Sequence, residues 1–221
     1  MRGGVEHSRR RWLAHCSLLA LGAGAPGLGA RSATPRRLLV VGDSLSAEYG
    51  LPRGTGWVAL LEQRLKQERS EVAVVNASIS GDTTSGGRTR LPALLAQHKP
   101  THVIVELGGN DALRGLPLEM TRDNLAAMLR ASRAAGARTL LVGMQVPPNY
   151  GRSYTAEFAA LFAAVAKTEG AALVPFLLAG VADVPDAASL FQADRIHPNA
   201  QAQPIMLGNV WPVLKTLLAG R

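Results

Sequence analysis

The chain is expected to fold as one α/β domain of three layers, about five parallel strands doubly wound with helices on both faces. Three observations point there. Short β-branched or leucine-rich runs alternate with longer segments of helical period. No internal repeat, linker or low-complexity tract follows residue 35. A chain of 221 residues, 47% of them hydrophobic, suits a single core rather than two.

Strands are read at 37–41, 72–76, 102–107, 138–144 and 171–174. Between them, residues 57–69, 84–97, 118–135 and 153–169 carry apolar side chains at spacings of three and four, as crossover helices do. A last helix is expected over 199–219, interrupted near Pro204 and Pro212. In such folds ligands sit beyond the carboxyl ends of the strands, where helix N-termini point inward. A catalytic residue should therefore lie just after a strand.

The first 33 residues read differently and are assigned to an export signal, leaving a domain at 34–221. Arg9, Arg10 and Arg11 precede an uncharged stretch from Leu13 to Ala30 rich in Leu, Ala and Gly, the charged, apolar, small order of a secretory signal. His15, Pro26 and the glycines argue against a spanning helix, which wants about 20 strongly apolar residues. Ser8-Arg9-Arg10-Arg11-Trp12-Leu13 resembles a twin-arginine signal, with general secretion the alternative route. Leu13-Ala14-His15-Cys16 departs from a lipoprotein box at the bulky His15. Cleavage is expected after Ala30 or Ala33 and location in the periplasm or outside the cell. Stable membrane insertion after cleavage is not expected.

Cleavage removes the single cysteine, Cys16, so neither a disulfide nor a thiol nucleophile is available. It also removes five arginines and one glutamate, half of the formal charge of +8, leaving +4. With that charge spread thinly and no basic cluster, nucleic acid is not an expected partner. No cofactor and no metal are expected, and a monomer is.

Histidine is the usual general base near neutral pH. His7 and His15 fall in the signal, and His98 and His102 bracket the start of the third strand, the wrong edge of the sheet, where they read as solvated loop residues. His197 is left. It stands in Asp194-Arg195-Ile196-His197-Pro198-Asn199, where a carboxylate three residues back across a turn can meet Nδ1 and turn Nε2 toward a nucleophile. A helix cap or surface turn would use the same residues.

Gly42-Asp43-Ser44-Leu45-Ser46 follows the first strand directly. Ser44 can be a nucleophile if His197 reaches it; the plain alternative is that Asp43 and Ser44 cap the next segment. After the second strand, Gly81 can bring a backbone N–H close to a substrate oxygen, or can serve only as a turn glycine. After the third, Gly108-Gly109-Asn110-Asp111 offers the Asn110 amide as a second donor. Serine, base, orienting carboxylate and two donors make up the requirements of acyl transfer.

These four separated blocks resemble the SGNH, or GDSL-type, hydrolases, with Ser44, Gly81, Asn110 and His197 at the positions that name the family. Val105-Glu106-Leu107-Gly108-Gly109-Asn110-Asp111, with Met144-Gln145 and Asn149-Tyr150-Gly151, is similar to the bacterial thioesterase I/lysophospholipase/arylesterase branch. The resemblance implies a flavodoxin-like fold and an oxyanion hole of the Ser44 and Gly81 N–H groups with the Asn110 side chain. It also implies a serine esterase acting on lipophilic acyl thioesters, lysophospholipids or small aryl esters, and a mobile specificity loop at 147–151. The α/β-hydrolases differ: they carry Gly-x-Ser-x-Gly in a tight elbow, whereas Gly42-Asp43-Ser44-Leu45-Ser46 of this chain has serine at the last place, so a more open nucleophile is expected here.

Leu113, Pro148 and Tyr150 are candidates to line an acyl groove, although two prolines also simply turn the chain. Glu106 reads as structural. Gly54-Thr55-Gly56-Trp57-Val58-Ala59 imitates a dinucleotide fingerprint but does not follow a strand at once. The remaining rivals are a non-catalytic lipid- or carbohydrate-binding protein of this fold and a carbohydrate deacetylase.

Overall fold

The computed structural model describes residues 36–220; the expected export signal lies outside them. Five strands form one parallel sheet: β1 (Arg36–Gly42), β2 (Val72–Asn76), β3 (His102–Glu106), β4 (Arg138–Val142) and β5 (Ala172–Val174), in the order β2-β1-β3-β4-β5. The helices are α1 (Trp57–Gln67), α2 (Thr84–His98), α3 (Gly109–Leu113), α4 (Leu118–Ala134), α5 (Arg152–Glu169) and α6 (Gln203–Ala219). The expected three-layer α/β domain is the observed one.

The two central strands explain themselves. Leu38-Leu39-Val40-Val41 of β1 and Val103-Ile104-Val105 of β3 are fully buried, as a parallel sheet covered on both faces requires. Helices α1 and α6 pack together, while α2, α4 and α5 form a second packed group. Trp57, Leu61 and Leu65 of α1 and Met206, Val210 and Leu214 of α6 supply buried faces to one layer; Leu125, Met128, Phe158 and Phe162 supply the other.

The chain switches direction across the sheet at β1. From there it first builds β2 on one side, then β3 on the other, with Val40 beside Asn76 and Val41 beside Val105. The crevice at such a switch is where open α/β sheets bind ligands.

Two expectations are corrected. The last helix starts at Gln203, not 199, and runs unbroken past both prolines. Pro204 sits in the first turn, where no amide hydrogen is missed, and Pro212 is tolerated because Val210, Trp211, Leu214 and Leu217 are buried around it. His102 is not solvated but 5% exposed, since it is the first residue of a central strand beside Leu38. Its Nδ1 meets the Thr101 hydroxyl at 2.9 Å, and burial pushes its imidazole below the usual range. His98 ends α2. Both lie at the amino edge of the sheet, as expected, away from the switch crevice.

Candidate active site

The ends of β1, β2 and β3 deliver their loops to one crevice. Directly after β1, residues 43–49 wind through turns in which Ser46 and Ala47 N–H both donate to the Asp43 carbonyl at 3.2 and 3.0 Å. This bend puts Ser44 at the surface and Asp43 beneath it, 2% exposed. Asp43 does make the local turn contact foreseen for it, accepting the Leu45 N–H at 3.0 Å. The Ser44 hydroxyl faces elsewhere: its Oγ lies 2.9 Å from His197 Nε2, although 153 residues separate them in sequence.

Asp194 completes the line. Its Oδ2 is 2.7 Å from His197 Nδ1, and its Oδ1 accepts the N–H groups of Ile196 and His197, both at 3.0 Å. The His197 N–H, the Ile196 N–H and the ring, in that order, hold the Asp194 carboxyl down to about 2. The carboxylate is therefore ionised at any ordinary pH and fixes the imidazole with Nε2 toward Ser44.

Gly81 and Asn110 stand on the other loops. Gly81 adopts φ +79°, a left-handed conformation that favours glycine, and its carbonyl accepts from Arg114 Nη2 at 2.8 Å. Among the described residues neither the Gly81 N–H nor the Ser44 N–H has a hydrogen-bond partner. Asn110 lies in the first turn of α3. Its Nδ2 donates one hydrogen to Asp43 Oδ2 at 3.0 Å and has a second to offer.

Of the expected groove residues, Leu113 at the end of α3 and Tyr150 in the segment after β4 are exposed; the Pro148 side chain lies outside the described residues. Tyr150 begins an aromatic row along α5, with ring centroids 6.4 Å to Tyr154, 6.3 Å on to Phe158 and 5.2 Å on to Phe162. Among the described residues, no cluster of three His, Cys, Asp or Glu side chains suits a metal ion. No described helix is long and apolar enough to cross a membrane.

A sequence-family model for GDSL-like lipases and acylhydrolases matches residues 40–204, three quarters of the chain and all of the residues just described. The chain belongs to the GDSL-like lipase/acylhydrolase family. It is 53% identical over 202 residues to Esterase TesA of Pseudomonas aeruginosa, covering 91% of this chain and 99% of that protein. It is 45% identical to thioesterase 1/protease 1/lysophospholipase L1 of Escherichia coli K12, over 80% of this chain and 82% of that one. The structure superposes with TM-score 0.78 on a psychrotrophic esterase, EstA from Pseudoalteromonas sp., inhibited by monoethylphosphonate, at 40% identity over 84% of this chain and 100% of that chain. As a family member this chain is a hydrolase of ester bonds.

Several residues around the family's motifs were not singled out by sequence reasoning. Tyr49 lays its ring beside His197, centroids 4.3 Å apart. Gln192 ties the two loops together, its Nε2 donating to the Tyr49 carbonyl at 2.8 Å and to the Pro198 carbonyl at 3.1 Å. Arg90 pairs with Asp82 at 2.7 Å and donates to the Gly42 carbonyl at 3.3 Å, joining the loops after β1 and β2.

Glu106, read as structural, is fully buried in β3 and reaches the same motif. Its Oε2 accepts the Ser46 hydroxyl at 2.7 Å and lies 3.4 Å from the Asp43 N–H. A Cβ on Gly42 would come within 2.8 Å of that oxygen, which is why the motif opens with glycine. Burial, then the Asp43 charge, push the Glu106 carboxyl well above the carboxylate range. Burial likewise pushes Asp43 up to about 6, against the pull of the Leu45 N–H, the Asn110 amide and His197. A carboxylic acid inside an apolar strand next to the motif was the one available signal.

Proposed function

We propose that this protein is an exported serine esterase that hydrolyses carboxylic esters or thioesters of lipophilic acyl groups through an acyl-enzyme. Ser44 is the nucleophile, His197 the general base and acid, and Asp194 its orienting carboxylate. The observation that carries the reading is the continuous line from Asp194 Oδ2 through the ring to Ser44 Oγ, with contacts of 2.7 and 2.9 Å.

In the first half-reaction Nε2 takes the Ser44 proton while Oγ bonds to the acyl carbon. The carbonyl oxygen becomes an oxyanion, received by the Ser44 and Gly81 N–H groups and the free Asn110 amide hydrogen. The bond to the alcohol or thiol then breaks, and Nε2 returns its proton to the departing oxygen or sulfur. A water molecule repeats the sequence against the acyl-enzyme, releasing the acid and restoring Ser44. The acyl groove is assigned to Leu113, Pro148 and Tyr150. The chemistry uses no cofactor or metal, and the enzyme works as a monomer on a small lipophilic substrate.

The relatives' names, thioesterase, lysophospholipase and esterase, support this substrate range. Residues 1–33 act as a signal that places the enzyme in the periplasm or outside the cell. The test is a p-nitrophenyl ester series of rising acyl length beside a lysophospholipid. The wild type should turn over the esters, and Ser44→Ala should fold normally and lose at least 10³-fold, the order expected when a nucleophile is removed. A Ser44→Ala protein that kept most of its activity would overturn the assignment.

A further inference from the structure

Among the described residues the exposed large hydrophobic side chains are Tyr49, Ile79, Leu113, Tyr150 and Ile196. Tyr49 and Ile79 follow β1 and β2, Leu113 ends α3, Tyr150 follows β4 and Ile196 stands in the 194–197 turn; of the five, Tyr49 is the one whose ring contacts the triad. Ile79 shares the segment after β2 with Gly81, and Leu113 shares α3 with Asn110. Tyr49 stands on the opposite, imidazole side, its ring 4.3 Å from that of His197 and inclined at 37°. Half of its surface, 50%, remains open.

That position is held from both loops. Gln192 Nε2 bonds the Tyr49 carbonyl, and the Gln192 N–H donates to the His197 carbonyl at 2.8 Å. The Tyr49 backbone is thus tied to the loop that carries the imidazole, and the ring lies against His197 with half of its surface open to solvent.

Acyl transfer assigns that open half a partner, given the triad reading above. The acyl oxygen points to Gly81 and Asn110, whereas the leaving oxygen must come within hydrogen-bond reach of Nε2, the group that protonates it. The alcohol portion of the ester therefore extends over the imidazole side, along Tyr49. We propose that the open half of the Tyr49 ring is the wall of an alcohol-side subsite that favours flat aromatic leaving groups over aliphatic ones carrying the same acyl group. As the acyl C–O bond breaks, its electron pair leaves on the phenolic oxygen and the Nε2 proton joins it, while the aromatic ring rests against Tyr49. An aromatic contact of this kind contributes about two- to tenfold.

A different role for Tyr49 would have the opposite signature. If the ring served only to steady the protonated imidazole, its loss would fall hardest on alkyl esters, whose poor leaving groups need a full proton from Nε2. The experiment compares kcat/KM for p-nitrophenyl butyrate and ethyl butyrate in the wild type, Tyr49→Ala, Tyr49→Leu and Tyr49→Phe, each checked for folding by its melting temperature. Tyr49→Ala and Tyr49→Leu should lose about two- to tenfold more on the aryl than on the ethyl ester, and Tyr49→Phe should keep the wild-type ratio. An unchanged ratio in Tyr49→Ala and Tyr49→Leu, or a greater loss on the ethyl ester, overturns the subsite while leaving the triad standing. A wild type inert on both esters overturns the triad and the subsite together.

Discussion

Replacing Asn110 by alanine separates two things its amide does. One Nδ2 hydrogen goes to Asp43 Oδ2 at 3.0 Å, and the other is assigned to the oxyanion. Loss of one such donor typically costs about 2.7–4 kcal/mol of transition-state stabilisation, so kcat should fall on the order of 10² to 10³. The same change strips a buried carboxylate of a partner, which costs about 1–3 kcal/mol of stability, or about 2–4 °C in Tm for each kcal/mol in a domain of this size. The two effects have different pH signatures. The Asn110 hydrogen bond favours ionised Asp43, whose carboxyl burial has pushed up to about 6. A raised acid gives stability below its unfolded value near 3.8 that is lost as pH climbs through 6. Without Asn110 that loss is larger, so the Tm deficit of Asn110→Ala should be greater at pH 8 than at pH 5. Turnover of p-nitrophenyl butyrate and thermal melts at the two pH values measure both. A kcat within threefold of wild type would remove Asn110 from the oxyanion hole, and an equal deficit at both pH values would refute the Asp43 argument.

Asp194→Asn should retain the contacts to the Ile196 and His197 N–H groups but present an amide hydrogen to Nδ1, favouring the wrong tautomer. Because the Asp194 side chain is 37% exposed, kcat should drop by about 10²-fold rather than the ~10⁴ of a buried triad; a loss under fivefold would make Asp194 a mere surface turn. Its carboxyl, held at about 2, gives stability that is complete above 3.8 and lost as pH falls through about 2, so the Tm deficit of this variant should be constant above pH 5 and shrink in stronger acid. Glu106→Gln keeps an acceptor for Ser46 and removes a carboxyl raised well above 4.5. Wild-type stability due to Glu106 is present in acid and lost as pH rises through the folded value. The variant should therefore gain in Tm on the wild type between pH 4.5 and pH 8, and a constant offset would count against a protonated Glu106.

The parts of the molecule legible in sequence are those where one strand or one loop decides the outcome. Leu38–Val41 and Val103–Val105 announce buried parallel strands by composition, and Ser44, Gly81 and Asn110 announce themselves by following strands. Asp194 and His197 are legible as a pair because three residues and a turn bring them together. What was illegible depends on loops meeting across the sheet. Gln192 meets Tyr49 over 143 residues and Arg114 meets Gly81 over 33, and no local period records either. His102 misled because position at a strand start says nothing about the neighbours that cover it.

Those long-range contacts explain why the two halves of the site are built differently. The serine half is held from within: Glu106 grips Ser46 and faces the Asp43 N–H, Arg90 holds the Gly42 carbonyl, and Asn76 Nδ2 donates to the Ser46 carbonyl at 2.7 Å. Of these anchors Glu106 is fully buried beneath the loop, and among the described residues none takes the Ser44 N–H. The histidine half has no strand end under it, since the turn at 194–197 follows a long irregular stretch after β5. It borrows rigidity sideways, through Gln192 and the ring of Tyr49, from the loop that carries the serine. His197 is thus referenced to the loop of Ser44, which Glu106 in turn ties to the core, and a small displacement of that loop shifts the surroundings of both partners of the 2.9 Å contact together.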